Sequence, residues 1–148
     1  MQVQEIKDLS VENLRCQIVE SRGFQNEHLR LYQIHSATLE SGVLQDQAVL
    51  TELNRIKDAG VAIGLTVTGP RQSATIDYAV GIDVFDTVQA TWNLLERSAT
   101  EGLKRAHEQG LGVIIKEALA NGRLVAAGGD QPLVEIATST ITGRLVAR

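Results

Sequence analysis

His35 is the residue in this chain best suited to chemistry. An imidazole titrates near pH ~6.5, so it can exchange or share a proton under ordinary conditions. It closes the apolar run 31–34 and is followed by Ser36. Three later apolar runs end in polar residues in the same way. Residues 61–65 lead to Thr66, residues 84–88 lead to Gln89, and residues 112–115 lead to Lys116 and Glu117. Amphipathic helical stretches separate the four runs. That alternation predicts parallel βα units, whose ligand sites lie at the carboxyl ends of the strands. One side chain of each polar set is therefore expected to point into a shared site. Lys116 and Glu117 are adjacent and lie on opposite faces of a strand, so at most one of them can do so.

Helices must hold these strand ends in place. Residues 10–22 predict a helix, with Ser10 as N-cap, Leu14, Ile18 and Val19 on one face, and Gly23 as its stop. Residues 29–34 predict the first strand. A loop through Ser41-Gly42 leads to a helix at 45–58, with Leu50, Leu53 and Ile56 on one side and Gly60 at its end. A strand at 61–66, a loop with Gly69-Pro70, a short helix at 72–79 and a strand at 84–89 follow. The helix at 98–109 has a capping-box pattern in Ser98-Ala99-Thr100-Glu101 and Gly110 just past its end. A strand at 112–116 comes next. Beyond Ala126, Asp130-Gln131-Pro132 suits a helix start, Gly128-Gly129-Asp130 suits a turn, and the β-branched run 138–143 disfavours a regular helix. The fold class is α/β. Four parallel strands with flanking helices make half of a TIM-type (β/α) barrel, which in full takes ~250 residues. One domain over 1–148 is expected, with 126–148 as a divergent tail.

Composition narrows the functions. The chain has 148 residues, 43% of them hydrophobic and 22% charged, an ordinary globular mix. A net charge of −4 offers no basic field for a nucleic-acid backbone. The single Cys16 excludes an intrachain disulfide and a cysteine-rich zinc site, and no metal site is predicted. No apolar run approaches the ~20 residues that span a bilayer. The first residues lack the basic and apolar regions of a signal peptide. The expectation is a soluble cytoplasmic protein without a membrane partner. His28 and His107 are expected at the surface, and Cys16 is expected to be inert.

Three stretches resemble the aldo/keto reductase family over roughly residues 8–125: 29–36 with its terminal His35-Ser36, 83–95, and 110–115. The first is the most specific, because that family places a catalytic histidine at this strand end. The resemblance implies an NADP-dependent oxidoreductase that reduces a carbonyl substrate. It implies that His35 orients the carbonyl, that Gln89 and Thr66 hold the nicotinamide carboxamide, and that Lys116 faces the cofactor. Val67 stands where an asparagine is usual, Lys116 replaces a tyrosine, and Ala118 replaces a proline. The family's aspartate, tyrosine and lysine have no counterpart, nor does its segment for the 2′-phosphate of NADP. Tyr32 does not supply the missing acid, since it lies three residues before His35 and so on the other pleat face. Without that acid the chain alone is expected to be nearly inactive. The alternative is a non-catalytic truncated relative acting as an oligomeric or small-ligand-binding module. A flavodoxin-like open sheet is a third reading.

Residue readings beside these stay open. His35 can be a strand-end histidine bonded to backbone, and Gln89 a capped loop residue. Trp92 is expected to pack near the site rather than stack on a ligand. The strands read as apolar on both faces. Four such strands leave an exposed inner face and two open edges, so a homodimer is expected, centred on the inner face or on the edges.

Overall fold

Apolar residues three and four apart bury one stripe of each helix, and alternation along each strand sends its side chains to two different environments. The computed structural model describes residues 8–125. Four helices and four strands alternate there: α1 (Val11–Gln25), β1 (Leu31–Ala37), α2 (Gln47–Asp58), β2 (Ala62–Val67), α3 (Gln72–Val80), β3 (Thr87–Thr91), α4 (Thr100–Glu108) and β4 (Gly112–Lys116). The strands form one parallel sheet in the order β1-β2-β3-β4. This is the predicted half of a (β/α) barrel. The expected turn at 128–130, helix start at 130–132 and irregular run at 138–143 lie outside the described residues.

One face of the sheet is dry. Ile63, Leu65, Val67, Val88 and Ala90 have no exposure, and they meet Leu53 and Ile76 from α2 and α3. The other face is polar, which corrects the expectation of strands apolar on both sides. Cross-strand pairing sets Gln33, Gly64, Thr87 and Gly112 in one row and Thr66, Gln89 and Ile114 in the next. Runs such as 61–66 are mostly apolar as a string, but Gly64 and Thr66 fall on one parity and Ile63, Leu65 and Val67 on the other.

Element boundaries moved for identifiable reasons. α1 begins as expected, with the Ser10 hydroxyl accepting from Asn13 N at 3.3 Å. It runs through Gly23 to Gln25, because one glycine costs only about 1 kcal/mol in a helix. Its buried stripe is Val11, Leu14 and Ile18, whereas Val19 is 70% exposed. β1 runs later than predicted and contains an irregularity between Ile34 and Ala37. β3 starts at Thr87 rather than 84, since Val84 and Phe85 are buried ahead of the ladder and Asp86 N donates to Ile63 O. The capping box at Ser98 does not form. Gln72 Nε2 donates to the Ser98 hydroxyl, and α4 starts two residues later without a side-chain cap. Gly60 and Gly110 end α2 and α4 with φ of +86° and +87°, as the left-handed residues that follow helices.

Helix docking rests on a few polar clamps. Glu52 of α2 is buried and accepts from Arg15 of α1 at 3.0 Å and from Arg55 at 2.9 Å. Asp46, unnoticed in the sequence, caps α2 by accepting from Ala48 N and Val49 N. At the amino ends of the strands, Asp86 accepts from Ile63 N at 2.8 Å and pairs with Lys57 at 2.9 Å.

Candidate functional site at the strand carboxyl ends

The irregularity in β1 lies at His35 and Ser36. Ile34 pairs with Leu65 and Ala37 with Val67, so three steps along β1 match two along β2. The extra residue is a β-bulge, a device that re-aims side chains at the end of a strand. Ser36 takes φ of +54° there. Both buried neighbours, Ile34 and Ala37, stay on the helix side, so the bulge leaves His35 and Ser36 opposite Thr66. His35 is exposed, and its Nε2 lies 3.5 Å from the Ser36 hydroxyl.

Beside the bulge runs a network of amides and a hydroxyl. Thr66 Oγ1 donates to Gln89 Oε1 at 2.8 Å, and Gln33 Nε2 donates to the same oxygen at 3.3 Å. With its oxygen doubly engaged, Gln89 keeps its Nε2 donors without a protein partner among the described residues. Below this row, Gln33 Oε1 and Thr87 Oγ1 are buried without a hydrogen bond among the described residues. They flank Gly64, where a Cβ would lie 2.9 Å from Gln33 Cγ. The glycine makes room for both side chains.

Lys116 is on the same face but one pleat further on. Gln89 pairs with Ile114, and Lys116 pairs with Thr91. The four expected residues thus share a face; three sit in one row and Lys116 lies beyond them. Glu117, at φ +56°, follows the strand and is exposed. Lys116 makes no ion pair with any described residue. Val67, at the position where an asparagine was noted as usual, is fully buried on the helix side.

Two buried amides shape the rim, and neither was singled out in the sequence. Gln72 at the start of α3 accepts from Thr91 N at 3.0 Å, pinning that helix to the end of β3. Asn93 accepts from Leu95 N and Glu96 N, and it donates to Glu117 O at 2.9 Å. It therefore joins the loop after β3 to the end of β4. Asn93 followed three residues later by Glu96 is a readable turn signal; Gln72 left no local trace. Gln33 was legible by parity, two residues before His35. Trp92 packs as expected: its Nε1 donates to Thr100 Oγ1 at 2.9 Å, and Arg97 lies 4.4 Å from its ring centre.

The tyrosines are elsewhere. Tyr32 donates to Gln17 of α1 at 3.2 Å, so it is on the helix side, and burial pushes its phenol up. Tyr78 is exposed on α3. His28, His107 and Cys16 are exposed. No cluster of three His, Cys, Asp or Glu side chains fit for a metal occurs among the described residues. No described helix is long and apolar enough to cross a membrane.

Comparison with known proteins bears on the fold. No family model matches the chain, and no curated protein does. Two solved structures described as an aldo-keto reductase from Pseudomonas aeruginosa superpose with TM-scores of 0.64 and 0.65, at 23% identity over 82% of this chain. The holo form of an aldo-keto reductase from Bacillus halodurans superposes with a TM-score of 0.64, at 20% identity over 81% of this chain. The fold is shared with about half of each of these proteins. The chain spans 47% of the Pseudomonas protein and 41% of the Bacillus protein.

Proposed function

We propose that the strand-end face is the nicotinamide-facing part of an NADP-dependent carbonyl reductase site. The observation that carries this reading is the Thr66–Gln89–Gln33 network beside the His35 bulge. A primary carboxamide needs an acceptor and a donor side by side. The free Nε2 donors of Gln89 suit its carbonyl oxygen, and the Thr66 hydroxyl gives the set a second polar group. By that chemistry these residues fit the carboxamide end of the cofactor. Bound there, the cofactor would supply a hydride. His35, exposed at the bulge, would hydrogen-bond a substrate carbonyl and orient it. Lys116, one pleat beyond, would add positive charge near the anionic part of the cofactor.

The described residues by themselves do not supply every group that a reductase needs. Reduction of a carbonyl needs a proton at the oxygen, and both tyrosines lie off the polar face. The reading is therefore a binding surface with a carbonyl-orienting histidine, and catalysis requires groups that these residues do not supply. The single exposed Cys16 suits a reducing compartment such as the cytoplasm. Titration with NADPH, followed by Trp92 and cofactor fluorescence, tests the proposal. Saturable binding weakened by Gln89→Ala is expected. Absence of binding at millimolar NADPH would favour the second reading, a non-catalytic module, for which the open sheet edges speak.

A further inference from the structure

The two edges of this sheet are unlike, and each lacks what the other has. At the β1 edge a cavity of about 360 Å³ runs between α1 and the strand. Asn13, Leu14 and Gln17 of α1 form one wall. The consecutive residues 32–36 of β1 form another, and β1 is an edge strand among the described residues. Leu9, Leu14, Ile34, Val43 and Val49 make part of its lining apolar. α1 packs against α2 and overhangs this edge. It is a helix with no described strand beneath its outer side.

At the β4 edge the reverse holds. Val113 and Ile115 lie on the helix side of the sheet, opposite Val88 and Ala90. Val88 and Ala90 are fully buried, while Ile115 is 39% exposed. β4 is a strand with no described helix over its outer face.

We infer that β4 of a second copy docks along β1, with its Val113 and Ile115 in the cavity under α1. A two-fold axis along the strand direction makes the same contact twice. Four parallel strands from each copy then close an eight-stranded ring with no free edge. Charge agrees with this register. Asp8, at the carboxyl-end mouth of the cavity, accepts from Ser10 N at 2.9 Å, and that backbone hydrogen bond holds its carboxyl below the usual range. Lys116, at the carboxyl end of β4, has no ion-pair partner among the described residues. In the pair, Lys116 of the second copy comes beside His35 and Asp8, whereas within one copy two strands separate the lysine from β1. The site at the strand ends is thus completed by the partner copy. The polar inner face becomes the lining of the ring rather than an interface. The pairing holds whether or not a nicotinamide binds.

Sedimentation equilibrium of the 148-residue chain at micromolar concentration tests it. The expected mass is twice 16.0 kDa. Ile115→Asp replaces an exposed residue, so the fold should survive by circular dichroism while the mass falls by half. Val19→Asp, on the exposed side of α1, should leave the dimer intact. The His35 ring signals in proton NMR give a second readout: Lys116→Gln should move them in the dimer and not in the Ile115→Asp monomer. A monomer at 16.0 kDa, or a dimer that survives Ile115→Asp, would overturn the inference. Unchanged His35 signals in the Lys116→Gln dimer would overturn the shared site.

Discussion

Gln89 organises the polar face at the scale of single residues. Its oxygen takes two donors, and its amide nitrogen has no partner among the described residues. Replacing it by alanine removes one ligand hydrogen bond, worth about 1 kcal/mol, so NADPH affinity should fall roughly 5- to 10-fold in a fluorescence titration. Thr66→Val should have a similar effect by freeing the Gln89 oxygen. Thr87 tests the opposite case. Its buried hydroxyl has no hydrogen-bond partner among the described residues. An unsatisfied buried hydroxyl costs about 1–3 kcal/mol, and valine has nearly the same shape. Thr87→Val should therefore raise stability by about 1 kcal/mol in urea denaturation. A loss of stability would mean that the hydroxyl is paired in solution.

Between elements, the contacts that matter are a charge clamp and a close approach of two helices. Glu52 ties α1 to α2 through Arg15. The Arg15 guanidinium holds the Glu52 carboxyl below the usual range, against burial, which pushes it up; Arg55 adds to the lowering. A depressed folded value means that the unfolded chain binds the proton more tightly. The contribution is then full above the unfolded value, about 4.3, and is lost as pH falls through the lower folded value. Both arginines are more than half exposed, so solvent screens the pair and the contribution is about 1 kcal/mol. Glu52→Gln should lower stability by that amount at pH 7, and its difference from the parent chain should vanish in strong acid. Gly102 of α4 sits against α3, where an added Cβ would lie 2.9 Å from Ser73 Cα. Backbone cannot yield as a flexible side chain can. Gly102→Ala should force the helices apart and cost about 1–3 kcal/mol in the same assay.

For the molecule as a whole, the central question is what half a barrel can do. Positioned proton transfer contributes roughly 10²–10⁴-fold to such reactions, and neither tyrosine reaches the polar face. The chain alone should therefore show no oxidation of NADPH with a simple aldehyde above the uncatalysed rate. Robust turnover abolished by His35→Ala would require an acid other than the two tyrosines. The polar inner face also changes the reason for expecting assembly. An apolar inner face would have demanded cover against water. The observed face carries Gln33, Thr66, Thr87 and Gln89, so the inferred pairing rests instead on the sheet edges and on the apolar side of β4.

By itself, the sequence determined the alternation of strands and helices, the parallel order, and the placement of His35, Thr66 and Gln89 at one end of the sheet. Those follow from local periodicity and from the few ways in which βα units pack. It also showed Tyr32 to be off the site, because pleat parity is a local property. Tertiary structure decided the rest. The bulge at His35-Ser36 depends on how β1 registers against β2, and no residue of β1 alone reports that. The capping box at Ser98 was lost to Gln72, a residue 26 positions earlier in the chain. Gln72 and Asn93 became rim residues only when helix and loop ends met the strands. The polar face emerged when Gly64, Thr66 and Thr87 were aligned across neighbouring strands, since a sheet face is composed from several strands and is not written in any one of them.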